Sequence, residues 1–223
     1  MAGSLSLRRR VRVAAKRVTS PARVALDRLF DWYLNVDTLS HVGATVDKTK
    51  YADQSMYESA AWLHIYLIMR SLRVGATHSV IDYGCGSGRI LCAARRAGVR
   101  RLIGVEVNNE LAELCRRNLQ NLRGPDSSFD LKQIDVSEFC PEWASHAFLF
   151  NPFGPDTLEL VIRRLEEMAH RERSEVLVVY IHPVHRGTIE LRDGWRKLTT
   201  LRWRLFLHPT VVYSYSGRES SVE

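Results

Sequence analysis

The run Val80-Ile81-Asp82-Tyr83-Gly84-Cys85-Gly86-Ser87-Gly88 constrains this chain more than any other feature. Three glycines alternate directly after a short apolar stretch and directly before Arg89-Ile90-Leu91. Glycine takes positive φ without steric penalty and lets a ligand approach bare backbone. Strand, glycine turn and helix start make a nucleotide-type loop, and that loop requires a βα unit around it. A dinucleotide fingerprint would place its third glycine where Arg89 stands; the spacing is instead G-x-G-x-G.

From Ser79 onward short apolar runs alternate with helical patterns. Strands are expected near 78–82, 101–106, 129–134, 146–150 and 175–181, and helices near 88–97, 108–122 and 156–171. Such alternation gives a parallel sheet with crossover helices. The tail differs: 198–207 and 211–215 are strand-like and separated only by His208-Pro209-Thr210, which suggests an antiparallel hairpin. The expected fold is therefore α/β: a doubly wound, mostly parallel seven-stranded sheet with a C-terminal antiparallel hairpin and helices on both faces. Ahead of it, Ser55 to Leu72 reads as a helix. Ser20-Pro21 starts another, with Ala22, Ala25, Leu26, Leu29, Phe30, Tyr33 and Leu34 on one apolar stripe that must lie on something. The organisation expected is a basic arm over 1–20, an amphipathic helix and connection over 21–54, and the main domain over 55–223. No stretch approaches the ~20 apolar residues that span a bilayer.

Four chemistry-bearing features fall at successive strand ends, where ligands of open α/β sheets sit. Asp82 ends the first strand. Glu106 ends Arg101-Leu102-Ile103-Gly104-Val105, at an offset from Asp82 close to the ~20 residues of ribose-binding acids in related sheets. Asp135-Val136 ends the third, and Asn151-Pro152-Phe153-Gly154 the fourth. In this order, over about residues 55 to 216, the chain resembles the class I (Rossmann-like) S-adenosylmethionine-dependent methyltransferases. Its Asn-Pro-Phe-Gly ending resembles uncharacterised bacterial members. The resemblance implies S-adenosylmethionine as cofactor, bound by Asp82, Gly84, Cys85, Gly86 and Gly88. It further implies that Glu106, with Val107 beside it, takes the ribose hydroxyls. Asp135 would accept from the adenine amino group while Val136 offers a backbone N–H, and Asn151 would close the site. No metal is implied.

Methyl transfer from a sulfonium is an in-line displacement that needs chiefly alignment, with a general base only for a protonated acceptor. Asn151 resembles the Asn of an Asn-Pro-Pro-aromatic motif that presents planar amines, although here the second proline is missing and Phe153 arrives one position early. Asn151 and Phe153 are read as acceptor-pocket residues, or as a strand-end turn with Phe153 packed inward. His182, ending the fifth strand, is a candidate base or a hydrogen-bonded loop residue; His185 is weaker. Tyr51 and Tyr57 are candidate covers of the cofactor. Trp143, Trp195 and Trp203 read as packing residues.

The net charge of +7 resides in one place. Residues 1–30 hold Arg8, Arg9, Arg10, Arg12, Lys16, Arg17, Arg23 and Arg28 against Asp27 alone, so 8 − 1 = +7, and the remaining 24 basic and 24 acidic residues cancel. The arm reads as a solvated leader, a membrane-surface anchor, a nucleic-acid tether or an organelle transit peptide. Cys85, Cys92, Cys115 and Cys140 show no metal-ligand spacing and favour reduced thiols in a cytoplasmic setting, with peripheral membrane contact a second location. With a neutral body, the acceptor expected first is a small molecule, lipid or glycan precursor. A nucleic-acid base or protein side chain is the alternative, and a non-catalytic binding domain the third.

Overall fold

The computed structural model describes residues 21–40, 59–203 and 208–218. Helices α1 (Pro21–Leu34) and α2 (Trp62–Ser71) precede β1 (Ser79–Tyr83). Then follow α3 (Arg89–Arg96), β2 (Arg101–Val105), α4 (Asn109–Asn121), β3 (Ser128–Lys132) and β4 (His146–Phe150). The chain ends with α5 (Pro155–Arg171), β5 (Glu175–Ile181), the short α6 (Gly187–Glu190), β6 (Arg196–Leu201) and β7 (Thr210–Ser216). Strand order is β3-β2-β1-β4-β5-β7-β6, parallel through β5, with β7 antiparallel to both β5 and β6. This is the seven-stranded, mostly parallel sheet with a C-terminal antiparallel hairpin that the alternation of patterns calls for. β1 lies between β2 and β4, so the winding reverses at β1 and opens a crevice at the carboxyl ends of these strands.

Side-chain alternation along the strands divides the interior into two cores. Ile81, Tyr83, Leu149, Val178 and Tyr180 pack under α5 on one face. Val80, Leu102, Phe148 and Val179 pack on the other face with α2, α3 and α4. Asp82 shares the parity of Val80, which aims its carboxyl toward the α3 side, where the glycine loop runs.

Three elements differ from the sequence expectation. α2 begins at Trp62, and residues 59–61 are not helical. The reason is a cap supplied from outside: Asp27 Oδ1 accepts the Trp62 amide at 3.0 Å, fixing the first turn there. β6 stops at Leu201, and residues 204–207 lie outside the described set. The largest difference is the direction in which α1 faces. Leu34 is buried and Phe30 half-buried, but Ala22, Ala25, Leu26, Leu29 and Tyr33 of the apolar stripe are exposed. What α1 turns inward is acidic: Asp27 (2% exposed) and Asp31 (7%).

Polar partners compensate that inversion. Arg89, 3% exposed at the start of α3, places Nη1 3.0 Å from Asp27 Oδ2 and 2.8 Å from the Ala60 carbonyl. Asp31 accepts from the Trp62 indole at 2.7 Å, and from the Thr38 amide and hydroxyl at 2.8 and 2.7 Å. Arg89 donates in turn to Thr38 Oγ1 at 2.8 Å from Nε and 2.6 Å from Nη2. Removing one partner of a buried pair leaves an uncompensated charge, which costs about 3–5 kcal/mol. Asp27→Ala is therefore expected to lower unfolding stability by about that amount in denaturant titration. Asp27→Leu combined with Arg89→Met should recover most of the loss.

Candidate active site

A cavity of about 300 Å³ occupies the crevice at the ends of β1, β2, β4 and β5. Asp82, Gly84, Cys85, Glu106, Val107, Val136, Asn151, Phe153 and His182 all line it, so most of the residues singled out in the sequence meet in one place. Ser59, Ala60 and Arg89 add the contribution of the N-terminal layer.

The loop is built from backbone that only glycine tolerates. Gly84, Gly86 and Gly88 have φ of 69°, 54° and 84°. A Cβ on Gly88 would stand 2.5 Å from Cys115 Sγ of α4, and one on Gly84 would stand 2.9 Å from Pro152 Cβ. The loop is thus wedged between α4 and the Asn151-Pro152 turn. Gly84 and Cys85 amides donate to the Val105 carbonyl at 2.8 and 3.0 Å, stitching the loop to β2. One step further along β2, Glu106 Oε2 accepts the Gly86 amide at 2.8 Å and Oε1 the Asn108 amide at 2.9 Å. Asn108 itself caps α4, its Oδ1 accepting from Leu111 N at 3.0 Å. Glu106 is consequently a fixed carboxylate joining the loop to the start of a helix.

Both cavity carboxyls are held above their ordinary pKa. Burial raises Glu106, opposed by the backbone amides it accepts from. Burial raises Asp82 much further, with a smaller contribution from the nearby Glu106 charge. Among the described residues, Arg89 is the one Arg or Lys in the lining, and it is engaged by Asp27. Two adjacent desolvated acids favour a ligand that brings positive charge and hydrogen-bond donors.

A second regularity marks the rim. Three neighbouring strands each lead into a left-handed residue: Gly84 after β1, Asn151 (φ 41°) after β4 and His182 (φ 52°) after β5. Non-glycine residues held there concentrate at functional sites, where surrounding structure imposes the conformation. The Tyr180 hydroxyl donates to Asn151 Oδ1 at 3.4 Å and accepts the His185 amide at 3.4 Å. The His182 amide donates to the Pro209 carbonyl at 2.9 Å, and its ring lies 4.6 Å from that of His208. His208 also stands 5.4 Å from Phe150. Phe153, 3% exposed, belongs to the core under α5 as well as to the cavity wall, so both of its sequence readings describe one position.

Some expected residues stand elsewhere. Asp135 turns its Oδ1 to the Ser137 amide at 2.7 Å, and the wall beside it is made by Ile134 and Val136. Gly86 and Gly88 are not among the described lining residues: Gly86 donates to Glu106, and Gly88 backs onto Cys115. Tyr51 and Tyr57 lie outside the described residues. Trp143 stacks under the Arg101 guanidinium at 3.7 Å, Trp195 donates to Glu166 at 2.7 Å, and Trp203 meets His64 edge-on; none of them reaches the cavity. The sequence reading missed Arg89 as a cavity residue, Tyr180 and His208. Arg89 was visible only as an absent glycine, and His208 only as part of a hairpin linker.

Residues 81–148, from β1 to β4 and hence the strands around the glycine loop, match the family model described as methyltransferase domain. The matched stretch is thus a methyltransferase domain by its sequence, set in the seven-stranded sheet described above. Over 129 residues the chain is 33% identical to the ribosomal protein L11 methyltransferase of Burkholderia cenocepacia, covering 52% of this chain and 41% of that protein. The chain spans about two fifths of the length of the curated relatives it matches. Among solved structures it resembles the mitomycin 7-O-methyltransferase (TM-score 0.54, 16% identity, 70% of this chain and 53% of the other). It also resembles a ribosomal protein L11 methylase from Lactobacillus delbrueckii subsp. bulgaricus (TM-score 0.50, 14% identity, 68% and 77%). At these identities the structural likeness is one of fold.

The Asp82 shift gives a test in the ligand-free protein. The folded chain keeps the Asp82 proton where the unfolded chain, with its carboxyl near 3.8, has lost it. Stability contributed by this group is therefore present below 3.8 and is lost as pH rises toward the raised folded value. Asp82→Asn should remove that decline, so that denaturant midpoints of the variant exceed those of wild type at neutral pH and converge with them in acid. A wild-type midpoint that rises over this window as steeply as the variant's would contradict a buried, protonated Asp82.

Proposed function

We propose that the protein transfers the methyl group of S-adenosylmethionine to an acceptor that enters beside Asn151 and His182. The observation that carries this reading is the Glu106 carboxylate, fixed between Gly86 and Asn108 and facing the same cavity as Asp82 and Asn151. When bound, S-adenosylmethionine supplies a methyl group already activated on a positively charged sulfur. Glu106 accepts the ribose hydroxyls, with Val107 beside it, and the apolar side chains of Ile134 and Val136 flank the adenine. In this reading the adenine wall is apolar, and the Asp135 carboxylate serves the turn that shapes it. Glu106 provides the negative charge that a cationic cofactor requires, Asp82 gives up its proton when that cation arrives beside it, and Gly84 and Cys85 let the cofactor approach the backbone.

On the acceptor side, Asn151 Oδ1 accepts a hydrogen from the incoming nucleophile, and the Tyr180 hydroxyl orients that amide. His182, beside His208, takes the proton when the nucleophile is a hydroxyl. Phe150 and Phe153 exclude water from the wall between them. The balanced charge of the body supports an acceptor that enters as a small group, free or as the head of a lipid or glycan precursor. A second reading, methylation of a protein side-chain amine, is favoured by the 33% identity to ribosomal protein L11 methyltransferases over 129 residues.

Incubation with methyl-labelled S-adenosylmethionine and a lysate fractionated into protein, nucleic acid, lipid and small molecules separates these acceptors by where the label appears. Hydrogen bonds to a charged acceptor contribute about 1.5–3 kcal/mol. Glu106→Ala is therefore expected to weaken cofactor binding by roughly tenfold or more in calorimetry. Asn151→Ala should leave that affinity intact and slow turnover. Unchanged turnover would return Asn151 to the role of a structural turn.

A further inference from the structure

α1 is amphipathic in an inverted sense. Its acids, Asp27 and Asp31, face inward and are paired, and its outward face carries Leu26, Leu29, Trp32 and Tyr33. Trp32 is 78% exposed, Tyr33 60% and Leu29 56%, and Tyr66 of α2, at 54%, adds a further ring nearby. A cavity of about 420 Å³ opens between α1, α2 and α3, with Phe30, Tyr33, Trp62 and Tyr66 in its walls. Its polar lining is cationic: Arg70, Arg73 and Arg96 line it, and among the described residues no acid does. α2 has no acidic residue at all, and among the described residues Arg70 and Arg73 make no ion pair. In sequence, residues 1–20 add Arg8, Arg9, Arg10, Arg12, Lys16 and Arg17 directly before α1, again without an acid.

An exposed cluster of this size combines two aliphatic and three aromatic side chains with unpaired guanidinium groups, and it excludes carboxylates. Each component fits the boundary layer of an anionic bilayer. Leucines enter the acyl region, Trp and Tyr rings sit at headgroup level, and arginines meet phosphate. RNA would use the rings and the arginines but would gain nothing from Leu26 and Leu29. We propose that the outward face of α1, together with the arginine-lined cavity beside it, docks the protein on an anionic lipid surface.

This inference stands apart from the methyltransferase reading, because no residue of the face lines the cofactor cavity. The full chain should co-sediment with vesicles of phosphatidylcholine and phosphatidylglycerol roughly tenfold more strongly than with phosphatidylcholine alone, and less at high salt. Leu29→Glu with Trp32→Glu should reduce that partition by roughly tenfold, with melting temperature and S-adenosylmethionine affinity unchanged. Arg70→Glu with Arg73→Glu should reduce it as well. Three results would overturn the proposal: equal partition to both vesicles, partition insensitive to the Leu29/Trp32 pair, or preferential binding of RNA. A fall in melting temperature of the Leu29/Trp32 variant would also overturn it, since that would mean the face is already covered by another part of the chain.

Discussion

Much of the structure depends on where the Arg89 guanidinium goes. Arg89 follows the last glycine of the loop after β1, and its side chain is almost fully buried. A buried guanidinium must find acceptors in every direction its donors point. It finds Asp27 of α1, the Ala60 carbonyl and Thr38. Those contacts decide the orientation of α1, the starting residue of α2 and the path of residues 35–40 at once. The N-terminal layer is therefore tied to the glycine loop at its first helical residue.

The same loop is constrained from its other side by close approaches. Cys115 lies where a Gly88 side chain would be, and Pro152 where a Gly84 side chain would be. A loop so wedged presents fixed amides to Glu106 and, across the cavity, a fixed turn at Asn151. Preorganisation of this kind suits a reaction in which the donor is already activated and the protein chiefly aligns it with an acceptor. The left-handed backbone at Asn151 and His182 points the same way, because it puts side chains into the crevice that extended strands would carry past it.

The glycine loop, Glu106, Val136 and Asn151 could be read from the sequence because each sits at a strand end, and strand ends are set by local apolar runs. Orientation was another matter. Periodicity reports that α1 has an apolar stripe and is silent on whether that stripe faces the core. Here Arg89, 62 positions beyond Asp27, decided in favour of the acidic face. Long-range pairing of this kind leaves no mark in a hydrophobic pattern. His208 was hidden for a topological reason: it joins the rim only because β7 inserts between β5 and β6. The acid expected from the sequence to contact adenine illustrates a third case. Asp135 occupies the expected position in the chain, yet its carboxylate is used locally by the Ser137 amide, which spacing alone does not convey.

If one crevice, formed by the loop, β2 and the Asn151 turn and tied to α1 through Arg89, holds S-adenosylmethionine, amide hydrogen exchange with and without the cofactor will report it without any substitution. Exchange should slow at residues 84–90, 106–108, 134–137 and 150–153, and with them at Thr38 and in the first turn of α2. Protection confined to other parts of the chain, or no protection at saturating cofactor, would contradict it.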